Sequence, residues 1–289
     1  MRLLVVGASG LVGGEIARRA RRLGHAVTGA ARHVQGGAEV QIDLTDWALT
    51  EAVVSRTHPD AIVICSAWPW VDGCELDPAR SHRENVETVA NVIRATSASP
   101  ATLVYFSTDH VFDGSQPFNV ESDRAHPLNV YARHKRESEE LLLSRGQALI
   151  AQTAWVFGAE ARQKNFLYQV TRAARVGGSM TLPVGQAGCP TWSGWLADST
   201  LTLLGSGVEG IVHLTGAELL TKAEWARLLT AELGLPASEI DEVSAAGSGQ
   251  TAPRPLRVTL RSERHGLVQP PLRDILRANR VPLLSSEPP

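Results

Sequence analysis

A tyrosine and a lysine four residues apart are the side chains in this sequence best suited to proton transfer. Tyr131-Ala-Arg-His-Lys135 has a spacing that places both residues on one face of a helix. An ammonium beside a phenol favours the phenolate and lowers its pKa from about 10. We predict that Tyr131 donates and accepts a proton near neutral pH, and that Lys135 assists it. The alternative is a surface tyrosine beside a solvated lysine.

Hydroxyl groups follow a predicted strand upstream of this pair. The segment Thr102–Ser107 is predicted to be a buried strand, and Thr108 and Asp109 come directly after it. At the carboxyl end of a parallel strand, Ser107 or Thr108 can hydrogen-bond a substrate carbonyl and stabilise charge that develops on it. The alternative is a polar cap at the end of the strand.

A glycine-rich turn follows the first predicted strand. In Gly7-Ala-Ser-Gly10-Leu-Val-Gly13, Gly7 allows a tight turn, Gly10 allows close approach of a pyrophosphate, and Gly13 allows the helix to pack on the sheet. The start of that helix favours anions, because its N–H groups are unpaired. This context of strand, turn and helix predicts a dinucleotide site.

The residues after the second and third strands indicate which dinucleotide binds. The second strand ends at Arg32, where an acidic residue would bond the ribose 2′-hydroxyl of NAD. An arginine can instead bind a 2′-phosphate, so we predict NADPH, with NADH as the alternative. Asp43 can bond the adenine amino group or mark the start of a helix. Arg32 can equally be a solvated loop residue.

Strands and helices alternate regularly through the first half of the chain. Continuous apolar strands between amphipathic helices predict a Rossmann-type α/β fold, with a doubly wound parallel sheet covered on both faces. The predicted strands are Arg2–Val6, Ala26–Ala30, Glu39–Ile42, Asp60–Cys65, Thr102–Ser107 and Leu149–Val156. The predicted helices are Leu11–Leu23, Asp46–Arg56, Pro78–Ala98 and Leu128–Ser144.

The regular alternation weakens in the second half. We predict a dinucleotide-binding domain over residues 1–157, with segments near 191–215 that return to it, and Ile211–Thr215 as a returning strand. Residues 158–190 and 216–289 are predicted to form a smaller, C-terminal substrate-binding lobe. This lobe includes helices at Asn165–Arg175 and Thr221–Leu233, and a frayed tail from Ser285. A further helix is predicted at Leu196–Leu204.

Composition limits the class of protein. Of the 289 residues, 43% are hydrophobic and 20% charged, and the net charge is −2, so no polybasic surface for nucleic acid is implied. Apolar runs such as Ala61–Cys65 are far shorter than the ~20 residues of a membrane-spanning helix. Three scattered cysteines and the absence of a secretory leader favour a cytoplasmic location. We expect neither a nucleic-acid nor a membrane partner.

These motifs together resemble the extended short-chain dehydrogenase/reductases, and within them the dTDP-4-dehydrorhamnose reductase family of sugar-nucleotide reductases. The resemblance rests on Gly7–Gly13, the Tyr131/Lys135 pair and the segment Ser107-Thr-Asp-His-Val-Phe-Asp-Gly114. It extends through Pro127–Tyr131, Thr153–Gly158, Asn165-Phe166, Gly188–Thr191 and Arg254-Pro255.

The resemblance implies a role for each matching residue. Tyr131 would be the proton donor, Lys135 would bond the nicotinamide ribose, and Thr108 would contact the reacting oxygen, with Asp109 nearby. Residues touching the dinucleotide would include Gly10, Leu11, Val12, Asp43, Leu44, Ser66 and Ala67. The substrate would meet Trp155, Asn165 and Arg254, which could otherwise be core or loop residues.

Three features depart from the family pattern. His110 replaces the usual Tyr, and Trp68-Pro-Trp70 replaces a smaller polar segment in which His is common at position 68. We predict that Trp68 and His110 contact the substrate, with ordinary packing as the alternative for the tryptophans. Glu15 matches an acid that binds Mg²⁺ in some members, but Gly194 stands where its acidic partner is expected. We therefore predict no metal.

The implied activity is NADPH-dependent reduction of a nucleotide-activated 4-keto-6-deoxy sugar, by an enzyme that is a possible homodimer. Two alternatives stay open. One is a sugar-nucleotide epimerase or dehydratase. The other is a non-catalytic, NADP-binding subunit resembling the regulatory subunit of methionine adenosyltransferase. The sequence does not identify the sugar or the stereochemistry of the product.

Overall fold

A seven-stranded parallel sheet forms the centre of the molecule in the computed structural model, which describes residues 1–285. Its strand order is β11-β6-β5-β4-β1-β2-β3. The strands are β1 (Arg2–Val6), β2 (Ala26–Ala31), β3 (Val40–Gln41), β4 (Ala61–Ile64), β5 (Thr102–Thr108), β6 (Ala148–Thr153) and β11 (Gly210–His213). Each pairs with its neighbours in parallel. The predicted Rossmann-type fold is confirmed. The tail predicted from Ser285 lies almost wholly outside the described residues.

Helices cover both faces of the sheet. One buried cluster joins Val5 and Leu149 to Ile16 and Leu196, and the other joins Ile62 and Tyr105 to residues of the helices on the opposite face. Continuous apolar strands therefore have a packed layer on each side, as parallel sheets require. The helices up to the sixth strand are α1 (Leu11–Arg22), α2 (Trp47–Thr57), α3 (Val71–Leu76), α4 (Pro78–His82), α5 (Thr88–Ala95) and α6 (Val130–Arg145).

The chain after β6 forms a third buried cluster beside the sheet and then returns. This cluster includes Phe157, Leu167, Trp225 and Leu276. The helices there and beyond are α7 (Phe166–Val176), α8 (Ser193–Gly205), α9 (Lys222–Leu233), α10 (Leu272–Ala278) and α11 (Arg280–Leu284). The short strands are β7 (Val156–Phe157), β8 (Ser179–Pro183), β9 (Ala187–Gly188), β10 (Thr191–Trp192), β12 (Leu220–Thr221) and β13 (Glu239–Val243). The strand predicted at Ile211–Thr215 is confirmed as β11, which places Ile211 opposite Ile150 of β6.

Two predicted elements are wrong in detail. The single helix predicted over Pro78–Ala98 is interrupted by a π-helical segment at Arg83–Glu87, where Asn85 turns inward and its side-chain oxygen accepts from the Trp68 amide at 2.9 Å. The strand predicted over Leu149–Val156 ends at Thr153, because Trp155 adopts a left-handed backbone with φ 44°. A left-handed residue cannot continue a strand.

Candidate active site

The carboxyl ends of β1, β4 and β5 meet at one edge of the sheet. The strand order reverses between β1 and β4, and ligands of open α/β sheets bind at such a point. The glycine-rich turn follows β1, Ser66 and Ala67 follow β4, and β5 ends at Thr108. Most of the predicted site residues therefore lie around one crevice.

The glycine-rich turn has the backbone that a pyrophosphate site needs. Gly7 has φ 89°, and a Cβ on Gly13 would lie 2.4 Å from the Gly7 carbonyl oxygen, so glycine is required at both positions. Helix α1 begins after Gly10 with no side chain capping its first amides. Those amides, on Leu11, Val12 and Gly13, are the donors that an anion would accept from.

A groove of about 310 Å³ runs from this turn across the ends of β1, β2 and β4. Its lining includes the predicted cofactor residues Gly7, Gly10, Arg32, Leu44, Ser66 and Ala67. Two charged lining residues, Arg162 and Glu84, were not singled out from the sequence. Arg162 donates from Nη2 to Ser9 Oγ at 3.0 Å, and Glu84 lies beside Arg32.

Arg32 is held by two carboxylates at the end of this groove. Its Nη2 lies 2.7 Å from Glu84 Oε2, and its Nε lies 3.0 Å from Asp43 Oδ2. The hydrogen bond to Glu84 and the charges of both acids raise the pKa of the Arg32 guanidinium. Asp43 also accepts from the Thr45 amide and hydroxyl at 3.0 and 2.8 Å. The carboxylate predicted to bond adenine is therefore engaged within the protein.

Thr108, Asp109, His110 and Tyr131 lie together beyond the groove. The Thr108 hydroxyl donates to Asp109 Oδ1 at 3.2 Å and accepts from the His110 amide at 3.2 Å. The His110 ring meets the Tyr131 ring edge to face, with centroids 6.4 Å apart. Buried His110 Nδ1 has no hydrogen-bond partner in residues 1–285. The predicted catalytic hydroxyls are thus neighbours, beside a histidine that can accept a further bond.

Burial controls the proton affinities of these groups. Burial raises the pKa of Tyr131 well above its ordinary value, and a hydrogen bond with the Thr108 side chain partly opposes the shift. Burial also raises the pKa of Asp109 and lowers that of His110. The prediction that Lys135 lowers the pKa of the phenol is therefore wrong for this arrangement.

Lys135 contacts the sheet backbone. Its Nζ donates to the Phe106 carbonyl at 2.5 Å and lies 4.0 Å from the centroid of the Tyr105 ring. Burial lowers the pKa of Lys135 to about 7. The ammonium is thus held against the backbone of β5.

The two tryptophans after β4 form a surface-facing pair. Trp68 is half-buried and Trp70 is 58% exposed, and their rings meet edge to face at 6.2 Å. The Arg80 guanidinium lies 4.3 Å from the Trp68 ring centroid, and a Cβ on Gly73 would lie 2.3 Å from Trp70. Neither indole belongs to the buried clusters of the sheet. The pair packs on α3 and α4 and leaves part of its surface open.

A second cavity, of about 430 Å³, has Lys222 in its lining, and Lys222 lies within electrostatic range of Asp109. Trp155, Asn165, Phe166 and Trp225 line it. A Cβ on Gly188 would lie 2.5 Å from the Trp155 ring, so this glycine gives the indole its room. Asn165 caps α7 and its amide donates to Gly158 and Glu160, both at 2.9 Å. Asn165 therefore shapes the loop before α7 as well as lining the cavity.

Arg254 is engaged by a carboxylate that was not predicted. Its Nη1 and Nη2 lie 2.9 and 2.6 Å from the two oxygens of Asp72, on α3. The pair is largely buried, and the hydrogen bond from Arg254 holds the pKa of Asp72 well below its usual range. Much of the donor capacity that we predicted for a substrate nucleotide is thus used within the protein.

Two classes of feature are absent from the part of the chain that the structure describes. Residues 1–285 contain no group of three or more His, Cys, Asp or Glu side chains placed to hold a metal ion. Glu15 is bonded by Arg18 and Arg19, and a Cβ on Gly194 would lie 2.5 Å from Arg19. Within the same range, no helix combines the length and apolarity needed to cross a membrane.

Comparison with known proteins places this chain in a family. The family model for the RmlD substrate binding domain matches residues 1–273. The dTDP-4-dehydrorhamnose reductase of Mycolicibacterium smegmatis is 31% identical over 282 residues, covering 94% of this chain and 82% of the relative. The dTDP-4-keto-6-deoxy-D-glucose reductase of Streptomyces niveus is 29% identical over 259 residues, covering 88% and 86%.

Among solved structures, the dTDP-4-dehydrorhamnose reductase of Bacillus anthracis in complex with NADP has the same fold. Its TM-score is 0.82 at 23% identity, covering 96% of this chain and 92% of that one. The family match extends over nearly the whole sheet and the cluster beside it. This chain belongs to the family of the RmlD substrate binding domain, that of the dTDP-4-dehydrorhamnose reductases.

Proposed function

We propose that this protein is an NADPH-dependent reductase of a nucleotide-activated 4-keto-6-deoxy sugar. The observation that carries the proposal is the proximity of the Thr108 and Tyr131 side chains. Asp109, the neighbour of Thr108, lies within electrostatic range of Lys222, which lines the cavity, and the strand that carries Thr108 ends at the same edge of the sheet as the strands that border the groove. This arrangement supports binding of a cofactor and a second ligand near these hydroxyls, as hydride transfer requires.

The groove fits a dinucleotide. The uncapped start of α1 would hold the pyrophosphate, Ser66 and Ala67 would line the path toward the nicotinamide, and Arg32 would meet the 2′-phosphate. When bound, NADPH supplies the hydride that reduces the keto carbon. The bound NADP of the Bacillus anthracis relative supports this choice of cofactor.

The side chains of the chain itself supply the proton and the orientation. The Tyr131 phenol, whose ordinary pKa is about 10, is protonated at neutral pH and can donate to the oxygen that becomes negative. The Thr108 hydroxyl would turn from Asp109 to bond the same oxygen. The open Nδ1 of His110 would accept from a sugar hydroxyl. Lys135 would bond the nicotinamide ribose.

The cavity fits the nucleotide end of the substrate. Trp155 and Phe166 present aromatic surface on which a base can stack, and the polar side chains of Asn165 and Gln169 lie beside them. The activities of the Mycolicibacterium and Streptomyces relatives support a dTDP-linked keto sugar. We also propose the division predicted from the sequence, in which residues 158–190 and 216–289 supply most of the substrate site. A cytoplasmic location and a homodimer stay predictions.

The decisive experiment is NADPH oxidation by the purified protein with a panel of dTDP- and UDP-linked 4-keto sugars. A reductase consumes one NADPH for each sugar reduced, whereas an epimerase or dehydratase transforms sugar without net consumption. A non-catalytic subunit binds cofactor and does neither. Saturable NADPH binding without turnover of any sugar in the panel would contradict the proposal.

A further inference from the structure

Lys222 places a cation in the wall of the second cavity. It is the first residue of α9, and its Nζ lies 3.8 Å from the centroid of the Trp155 ring and 4.6 Å from that of Phe166. Both rings line the cavity, as does Lys222 itself. The ammonium therefore lies against the aromatic surface where the nucleotide end of the substrate is proposed to bind.

This ammonium lacks an oxygen partner in residues 1–285. No hydrogen bond described there has Lys222 Nζ as its donor, although an ammonium has three N–H groups to satisfy. Aromatic faces attract a cation but do not replace an acceptor oxygen. An ammonium held in this state at a cavity wall is suited to bind an anionic ligand.

Lys222 lies within electrostatic range of Asp109, His110 and Arg254. Lys222 is coupled electrostatically to Asp109, which raises its pKa, and to Arg254, which lowers it. It is also close enough to lower the pKa of His110. The ammonium thus lies against the aromatic surface that would hold the base and within electrostatic range of Asp109, the neighbour of Thr108.

Arg254, the other cation predicted to hold the substrate, is already bonded within the protein. Arg254 donates to both oxygens of Asp72 and to the Ala252 carbonyl at 3.0 Å. Lys222 forms no comparable ion pair among the described residues. Its ammonium is therefore more available than the Arg254 guanidinium to bind an anionic ligand. In a nucleotide sugar, the diphosphate is the anionic group and joins the base end to the sugar.

We infer that Lys222 binds the diphosphate of the nucleotide-sugar substrate, while Arg254 acts indirectly by fixing the loop at residues 251–254 to Asp72. The inference rests on the proposed function for the identity of the ligand. It assigns the diphosphate contact to a residue that the motifs did not single out. It also makes the position of the sugar dependent on α9.

The test is calorimetric titration of the full-length protein, saturated with NADP⁺, with dTDP and separately with thymidine. Lys222→Met should weaken dTDP binding on the order of 10- to 100-fold, as expected for loss of a charge-assisted hydrogen bond. Thymidine affinity should change by less than about threefold, since it has no phosphate. Lys222→Arg, which keeps the charge, should retain most of the dTDP affinity.

Lys164→Met is the matched control, because Lys164 lines the same cavity. It should leave dTDP binding nearly unchanged, and an equal loss in both variants would overturn the inference in favour of a general charge effect. Equal loss of dTDP and thymidine binding in Lys222→Met, or no dTDP binding by the wild type, would also overturn it. Lys222-dependent dTDP binding without keto-sugar reduction would contradict the proposed function alone. Keto-sugar reduction with unchanged dTDP affinity in Lys222→Met would contradict this inference alone.

Discussion

The Asp72 carboxylate and the Arg254 guanidinium, 182 residues apart in the chain, form a two-point ion pair. Asp72 Oδ1 also accepts from the amides of Thr251 and Ala252, both at 2.9 Å. One carboxylate on α3 therefore holds a whole loop from the distal part of the chain.

Replacing Asp72 by Asn should lower the free energy of unfolding by about 1.5–3 kcal/mol, the range for hydrogen bonds to charged groups. Urea denaturation measures this loss. Asp60→Asn is a matched control, because the Arg2–Asp60 pair is exposed to solvent and should contribute much less to stability. Equal losses in the two variants would mean that the buried pair is no stronger than a surface one.

The same pair should make stability depend on pH in acid. The pKa of Asp72 is lowered from 3.8, so its contribution is fully present above pH 3.8 and is lost as the pH falls through the lowered pKa. The stability difference between wild type and Asp72→Asn should therefore shrink below about pH 4. A difference that grows in acid would contradict the assignment.

Tyr131→Phe should lower turnover by a factor on the order of 10²–10⁴, because it removes the proton donor and leaves the groove intact. NADPH affinity should barely change. Tyr168→Phe is the control, since Tyr168 lies in the third buried cluster and its hydroxyl accepts from the Glu160 amide at 3.3 Å. Near-normal turnover in Tyr131→Phe would transfer the role to another acid or to water.

Arg32→Ala should weaken NADPH binding by about 1.5–3 kcal/mol and leave NADH binding nearly unchanged. Glu84→Gln should act in the opposite direction, because it removes a carboxylate that competes with the 2′-phosphate for the same guanidinium. Dissociation constants for both cofactors test the two variants. Equal affinities of the wild type for NADPH and NADH would exclude a role for Arg32 in cofactor choice.

Trp68→His should change the ranking of keto sugars in kcat/KM while leaving NADPH affinity within a few fold. A half-buried indole outside the sheet clusters should cost less on truncation than the about 3–5 kcal/mol of a core tryptophan. A thermal melt of Trp68→Ala therefore complements the substrate panel. A large fall in Tm with an unchanged ranking would mean that Trp68 is a packing residue only.

The sequence predicted those features that local pattern determines. Apolar strands, the glycine-rich turn and the helix carrying Tyr131 were placed within about two residues, because each has its own periodicity or capping signal. Trp155 shows where this fails. Its left-handed backbone ends β6. The apolar pattern of Leu149–Val156 carries no signal for this conformation, because the surrounding structure imposes it.

Ion pairs between residues far apart in the chain could not be predicted from the sequence either. The ion pairs of Arg254 with Asp72 and of Arg32 with Glu84 join residues that no motif connects. Lys222 did carry a faint signal, as one of three lysines in a chain rich in arginine. Its significance becomes visible in the fold, where α9 brings it beside Trp155.

The late return of β11 to the sheet has a consequence for the nascent chain. Until residues 210–213 leave the ribosome, β6 is an edge strand with unpaired backbone groups. The sheet can therefore be completed only after the intervening segment has been synthesised, and at least part of that segment must wait beside an unfinished sheet. Translational pausing or truncation before β11 would leave the unpaired edge of β6 exposed, where it could aggregate or be bound by a chaperone.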